Sequence, residues 1–196
     1  MGNCCLSLVI SLLTKSVFNQ CCDLVSKRLI DYLEQLEDPR KEKILTFHHA
    51  HQKLIETTKG SFAKHQAWFG GYQDHIAECF RIAEAMYFGL QTIREVPIKL
   101  SSALVVLYFH DIEKIWKYSQ GLSPNFDKQC FYNKDLKEIY GIELTADELI
   151  ALKYIHGEPE NEYNATTRLM NPLASFCHCV DTLSARMWYN EGKNLG

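Results

Sequence analysis

Between Ala103 and Phe109 the chain reads Ala-Leu-Val-Val-Leu-Tyr-Phe, and the next two residues are His110 and Asp111. With Pro97 opening the segment, Ser101 to Trp116 is expected to form one helix, apolar almost all round up to His110. A helix with no polar face has no side to give to water, so it must be central and other helices must cover it. An imidazole and a carboxylate set at the end of such a helix cost roughly several kcal/mol unless something pairs with them. A divalent cation satisfies both, because imidazole nitrogen and carboxylate oxygen together suit Mn, Fe, Co, Ni, Zn or Mg. Taken alone, a His-Asp dipeptide is better explained as a hydrogen-bonded core pair, so its company decides.

That company lies on other predicted helices. His75 is expected to start an apolar helix running to about Leu90, after a loop His65 to Asp74 that holds Gly70 and Gly71. Asp181 sits among Phe176, Val180 and Leu183 in a last helix that begins at Asn171-Pro172 and runs to about Asn190. His178 shares the face of Asp181, three residues before it, and His156 closes the apolar helix that Thr145 caps. A bundle that brings such positions together has the ingredients of a core metal site. Ser119 to Tyr132 reads as a surface loop, followed by a short helix around Lys134 to Tyr140. Leu6 to about Ile55 gives two or three helices interrupted at Asp38-Pro39, in which His48, His49 and His51 read as a solvated face. No segment shows strand alternation, so the fold class is all-α.

Composition narrows the functions. The chain has 196 residues, enough for one core, and its net charge of −3 does not draw it onto a nucleic-acid backbone. The eight cysteines lack paired CxxC spacing, which argues for buried reduced thiols in a cytoplasmic protein and against structural zinc. Gly2, Cys4 and Cys5 look like a lipidation start, but Leu6 stands where that pattern wants Ser or Thr, and Leu6 to Leu13 is too short to span a bilayer. An amphipathic first helix packed on the core is the preferred reading of this end.

The spaced motifs resemble the HD-domain metal-dependent phosphohydrolases, most closely the HD domains of bacterial 3′-5′ exoribonucleases and relaxase-associated HD domains. The family's His-His-Ala-Tyr-x-Gly-Gly-Leu-Leu-Glu-His is similar to the stretch His65-Gln66-Ala67-Trp68-Phe69-Gly70-Gly71-Tyr72-Gln73-Asp74-His75. Its His-Asp-Ile-Gly-Lys looks like His110-Asp111-Ile112-Glu113-Lys114, its His-His-Gly like Ile155-His156-Gly157, and its terminal Asp motif like Asp181 to Met187. The resemblance covers about residues 65–187, and four motifs together are far more specific than one. It implies an HD-domain helical bundle over residues 61–190, with extra N-terminal helices in 1–60 and a tail at 191–196.

The resemblance also implies roles. His75, His110, Asp111 and Asp181 would be metal ligands; Lys114 would contact phosphate; His65 and His156 would line the pocket. Asp111, Lys114 and Glu113 are the candidate catalytic groups, Glu113 standing where the family has Gly. Arg186 is a candidate phosphate clasp, with a surface cation the equal alternative. Ile155 replaces a family His, so one divalent ion is expected rather than two. The implied activity is hydrolysis of a phosphomonoester or phosphodiester in a small, nucleotide-like molecule, without a stable nucleic-acid complex. A catalytically silent HD module that binds a nucleotide or a protein, and a 3′-5′ nuclease, are the alternatives.

Overall fold

The computed structural model describes residues 27–162 and 166–188. Gly2, Cys4, Cys5, the Leu6 to Leu13 stretch and residues 191–196, and with them the readings made there, lie outside the described residues. The helices are α1 (Leu29–Glu34), α2 (Lys41–Thr57), α3 (Gly71–Gln91), α4 (Leu100–Phe109), α5 (Lys114–Lys117), α6 (Lys128–Cys130), α7 (Leu136–Tyr140), α8 (Ala146–Tyr154) and α9 (Pro172–Arg186), with a π-helical turn Phe131–Asp135 joining α6 to α7. The protein is all-α: no β-sheet occurs among the described residues. None of the described helices is long and apolar enough to cross a membrane.

The core forms around α4, buried at every position from Ala103 to Phe109. Helices α3, α8 and α9 pack directly on it, and α1 and α2 cover the outer side of α3. An apolar helix is thus enclosed by three others, as its composition demands.

The helix expected over Ser101 to Trp116 breaks at His110 instead. In an unbroken helix the carbonyls of Phe109 and His110 would accept the amides of Glu113 and Lys114. Here the Tyr132 hydroxyl shares its one proton between the two carbonyls, 2.7 Å from Phe109 O and 3.1 Å from His110 O, and Lys128 Nζ donates to the His110 carbonyl at 2.6 Å. The Lys114 amide turns to the Asp111 carbonyl at 2.9 Å, and tighter turns carry the chain through residues 110–113 into α5. Both donors come from α6 and the π turn, a segment that the sequence presents partly as loop.

α3 starts at Gly71, one turn before His75, so His75 stands in its second turn. Gly70 caps the helix with φ 77°, a left-handed conformation that suits glycine. Gly71 has a different reason to be glycine: a Cβ there would lie 1.9 Å from the Gln66 carbonyl oxygen. The other expected starts are found. Thr145 and Glu148 exchange capping-box bonds at 3.2 and 2.8 Å, and Asn171 Oδ1 accepts the Ala174 amide at 2.7 Å. α9 ends at Arg186, short of the expected Asn190. Of the four described free cysteines, Cys79 and Cys177 are buried, whereas Cys130 and Cys179 are exposed.

Glu148 also closes an ion pair. Its carboxylate takes the Arg40 guanidinium in two bonds of 2.6 and 2.7 Å, and Arg40 is held from the other side by Asp38. This clasp joins the start of α2 to α8 across 108 residues of chain. The Glu148 side chain is fully buried, so removing it leaves Arg40 to Asp38 alone among the acids and also takes away the capping bond to the Thr145 amide. Glu148→Ala is expected to cost about 3–5 kcal/mol in urea unfolding, and a loss below about 1 kcal/mol would show the pair to be incidental.

The solvated histidine face expected on α2 needs correction. His48 is 4% exposed, with Nδ1 3.1 Å from the buried Tyr108 hydroxyl, and His51 is half-buried beside Tyr140. His49 alone of the three faces water. The α2 face turned to α3 and α4 carries Phe47, and His48 follows it inward. Burial pushes His48 down to about 4 from 6.5, so on acidification the unfolded chain takes up this proton first. The stability that neutral His48 contributes is complete above about pH 6.5 and is lost as the pH falls toward 4. His48→Gln, which can still bond Tyr108, should flatten the decline of unfolding free energy over that window; an unchanged slope would remove His48 as its source.

Candidate metal centre

Four polar side chains meet where α4 ends. His75 comes from α3, His110 from the end of α4, Asp111 from the turn that follows, and Asp181 from α9. All four are buried, the two histidines completely. His75 Nε2 and His110 Nε2 are 3.3 Å apart, and Asp181 Oδ1 lies 3.3 and 3.4 Å from them. Asp111 Oδ2 is 3.3 Å from His110 Nε2 and 3.8 Å from His75 Nε2. A triangle with such edges has its corners about 1.9 Å from its centre, close to the ~2.0–2.2 Å bonds that imidazole and carboxylate make to divalent ions. His75, His110 and Asp181 therefore form a group able to hold a metal, with Asp111 at its edge.

The donor chemistry fits an ion as well. His110 Nδ1 donates to the Leu107 carbonyl at 2.7 Å, which turns the Nε2 lone pair toward His75 Nε2 and the carboxylates. Two imidazole nitrogens facing each other across 3.3 Å need a proton or a cation between them and the acids. The electrostatics express that demand. Burial lowers the proton affinity of His110, but Asp111 and Asp181 outweigh it and raise the imidazole to about 10. Burial works against both carboxylates, yet His110 and its neighbours hold Asp111 and Asp181 well below the usual range. His75 is lowered, by burial first and His110 second, against the pull of the acids. A proton on His110 and a divalent cation answer the same need, so they compete and metal affinity should fall in acid.

Around this group the remaining expected residues take different places. Lys114 Nζ lies 2.5 Å from Asp111 Oδ2 and is 15% exposed, at the edge of the centre. His156, just past the end of α8, is 57% exposed and spans the two acids, with Nδ1 3.3 Å from Asp181 Oδ2 and Nε2 3.7 Å from Asp111 Oδ1. The His65 ring centroid is 5.2 Å from that of His75, and its Nε2 is buried without a partner. Burial, then His75 and Lys114, lower His65 to about 4, so it stays a neutral acceptor or donor.

Two candidates stand apart. Glu113 turns from the centre to Lys128, 3.0 Å away, leaving Oε2 buried and unpartnered. Arg186 is exposed in the last turn of α9, about 140° around the helix from Asp181. Its position suits a surface cation better than a clasp on anything bound between the four ligands.

Several residues outside the expected set also build this region. Tyr132 and Lys128 fix the backbone at His110, and Ser184 Oγ meets His75 Nδ1 at 3.0 Å. Ser184 follows Asp181 by three residues, and Glu78 follows His75 by three, so both are polar neighbours of a ligand on an apolar stripe. That signal was available. His178 shares the Asp181 face as expected, but its Nδ1 donates to the Ile155 carbonyl at 2.6 Å and it lines a cavity of about 560 Å³ with Gly157, Glu158, Arg168 and Met170. Gly157, in its lining, directly follows His156 in the chain, and His178 lies one turn before Asp181.

Comparison with models of known protein families, with curated proteins and with solved structures finds no match to this chain.

Asp181 touches both imidazoles and His156. Asp181→Ala is expected to abolish binding of Mn, Co, Ni and Zn in calorimetric titration while the helical circular dichroism stays near that of the parent; full metal binding by the variant would dissolve the site.

Proposed function

We propose that this protein is a metal-dependent phosphohydrolase of the HD type, acting on a phosphate ester of a small, nucleotide-like molecule. The observation that carries the reading is the convergence of two buried imidazoles and two buried carboxylates from α3, α4, the following turn and α9, with Lys114 and His156 at the edge. The motif resemblance to HD-domain proteins supports the same reading, and the all-α bundle is compatible with it. His75, His110, Asp111 and Asp181 would hold one divalent ion.

When bound, such an ion supplies Lewis-acid activation of water and of a phosphoryl oxygen. The other contributions belong to the chain. Asp111 turns Oδ2 to Lys114 and His110 and Oδ1 toward His156 Nε2, so it can orient a water at the open side by accepting its hydrogen. Lys114 Nζ supplies a point charge that can leave Asp111 for a phosphate oxygen. His156 is the most exposed polar group at the acids and can pass a proton between water and solvent. His65 Nε2, orphaned beside His75, offers a further contact to a bound oxygen. The cavity lined by Gly157 and His178 has room for the organic part of an ester, and its lining of Arg168, His178, Glu158 and Met170 mixes polar and apolar groups as small-molecule sites do.

The test combines elemental analysis of the purified protein with phosphate release from a nucleotide panel and a generic phosphodiester in Mn, Co, Ni or Mg. About one transition metal per chain with metal-dependent turnover is expected. A metal-free, inactive protein under all these conditions would overturn the reading in favour of a silent binding module. Lys114→Ala should lower kcat/KM on the order of 10²-fold, within the range of a lost charge-stabilising contact, while retaining the metal; unchanged turnover would take Lys114 out of the mechanism.

A further inference from the structure

His75 is tied, through its second ring nitrogen, to a chain of polar groups that no ligand role explains. His75 Nδ1 lies 3.0 Å from Ser184 Oγ. The Ser184 hydroxyl donates to Glu78 Oε2 at 2.6 Å, and Gln66 Nε2 donates to the same oxygen at 2.8 Å. A serine has one proton to give. The short bond to a carboxylate claims it, so Ser184 must accept from His75, and the His75 proton must sit on Nδ1. Cys79 Sγ, 4.0 Å from Nδ1, offers no comparable acceptor.

Gln66 reaches Glu78 from an unusual backbone. Its φ is 43°, and among the described residues it is the non-glycine residue with positive φ. A side chain held in the left-handed region costs energy that its surroundings must recover. The Gly60 amide bonds the Gln66 carbonyl at 2.9 Å, and the close approach at Gly71 seats that same carbonyl. The Gln66 side chain is 6% exposed, and its Oε1 is buried with no partner, so the amide is aimed by its donor end at Glu78. The loop that carries His65 is thereby fastened to the helix face that carries His75.

We propose that Ser184, Glu78 and Gln66 are positioning residues that fix the His75 tautomer, keeping the proton on Nδ1 and the Nε2 lone pair on the side of His110 and Asp181. Glu78 acts through Ser184, and Gln66 sets the direction of Glu78. The consequence for metal binding rests on the proposed function; the tautomer does not. Outer-shell partners of this kind change metal affinity about 10–100-fold, and a relay in series makes the losses non-additive.

The experiment has two arms on the full chain. In the first, nitrogen NMR of the metal-free protein reads the His75 ring directly. Protonated Nδ1 and bare Nε2 are expected in the parent and in Glu78→Gln, which keeps an acceptor for Ser184, and that preference should be lost in Ser184→Ala. A parent His75 protonated on Nε2 overturns the proposal whether or not a metal binds. In the second arm, the Mn dissociation constant is measured for Ser184→Ala, Glu78→Ala and the double variant. Each single change is expected to weaken binding about 10–100-fold, and the double no more than Ser184→Ala alone. Additive losses would show Glu78 to act independently of Ser184 and overturn the series arrangement. Failure of the parent to bind Mn with the expected tautomer present would sink the proposed function and leave the relay standing.

Discussion

Two imidazoles and two carboxylates kept out of water at the end of a buried helix set the terms for the rest of this structure. Placing them there is unfavourable unless each finds a partner, and the surrounding helices supply partners from every side. The Leu107 carbonyl accepts from His110 Nδ1, Ser184 meets His75, and Lys114 and His156 face the acids. What the fold leaves unanswered is the space between the two Nε2 atoms. The demand for positive charge there, expressed in His110 raised to about 10, is the property that the proposed metal would meet.

The geometry of that space depends on where α4 stops. Nothing in the side chains from Ala103 to Trp116 forbids a helix, and His110 and Glu113 keep right-handed helical dihedrals. The break is made from outside, by the Tyr132 hydroxyl and the Lys128 ammonium taking the two carbonyls. Tyr132 lies in the π-helical turn, where an extra residue per turn shifts the side chains that follow relative to a regular helix; such turns recur at functional sites. The segment that ends α4 also carries Phe131, set edge-to-face against Trp116 of α5 with ring centroids 5.6 Å apart, so the break is packed as well as bonded.

The two sides of the centre have different characters. Toward α3 it is closed by the network of Ser184, Glu78 and Gln66 and by the loop before Gly71. Toward α8 stands His156, 57% exposed, and the cavity lined by Gly157, Arg168 and His178 includes the next residue of the chain. Arg168 lines that cavity, whereas Arg186 is exposed elsewhere, on α9.

The sequence by itself determined the helical class, the centrality of α4, the caps at Thr145 and Asn171, and a set of misplaced polar residues, His75, His110, Asp111, His156, His178 and Asp181, from which the motif resemblance selects four as a ligand set. These follow from local patterns: periodicity, capping chemistry and polar groups set in apolar stretches. Only the tertiary structure decided that α4 breaks at His110, that His48 is buried, that Glu113 and Arg186 point away from the centre, and that Ser184 and Glu78 stand behind His75. Each of these depends on a contact between residues distant in the chain, such as Tyr132 with Phe109 or Ser184 with His75. Spacing along one helix shows which residues share a face, but not which other helix that face will meet.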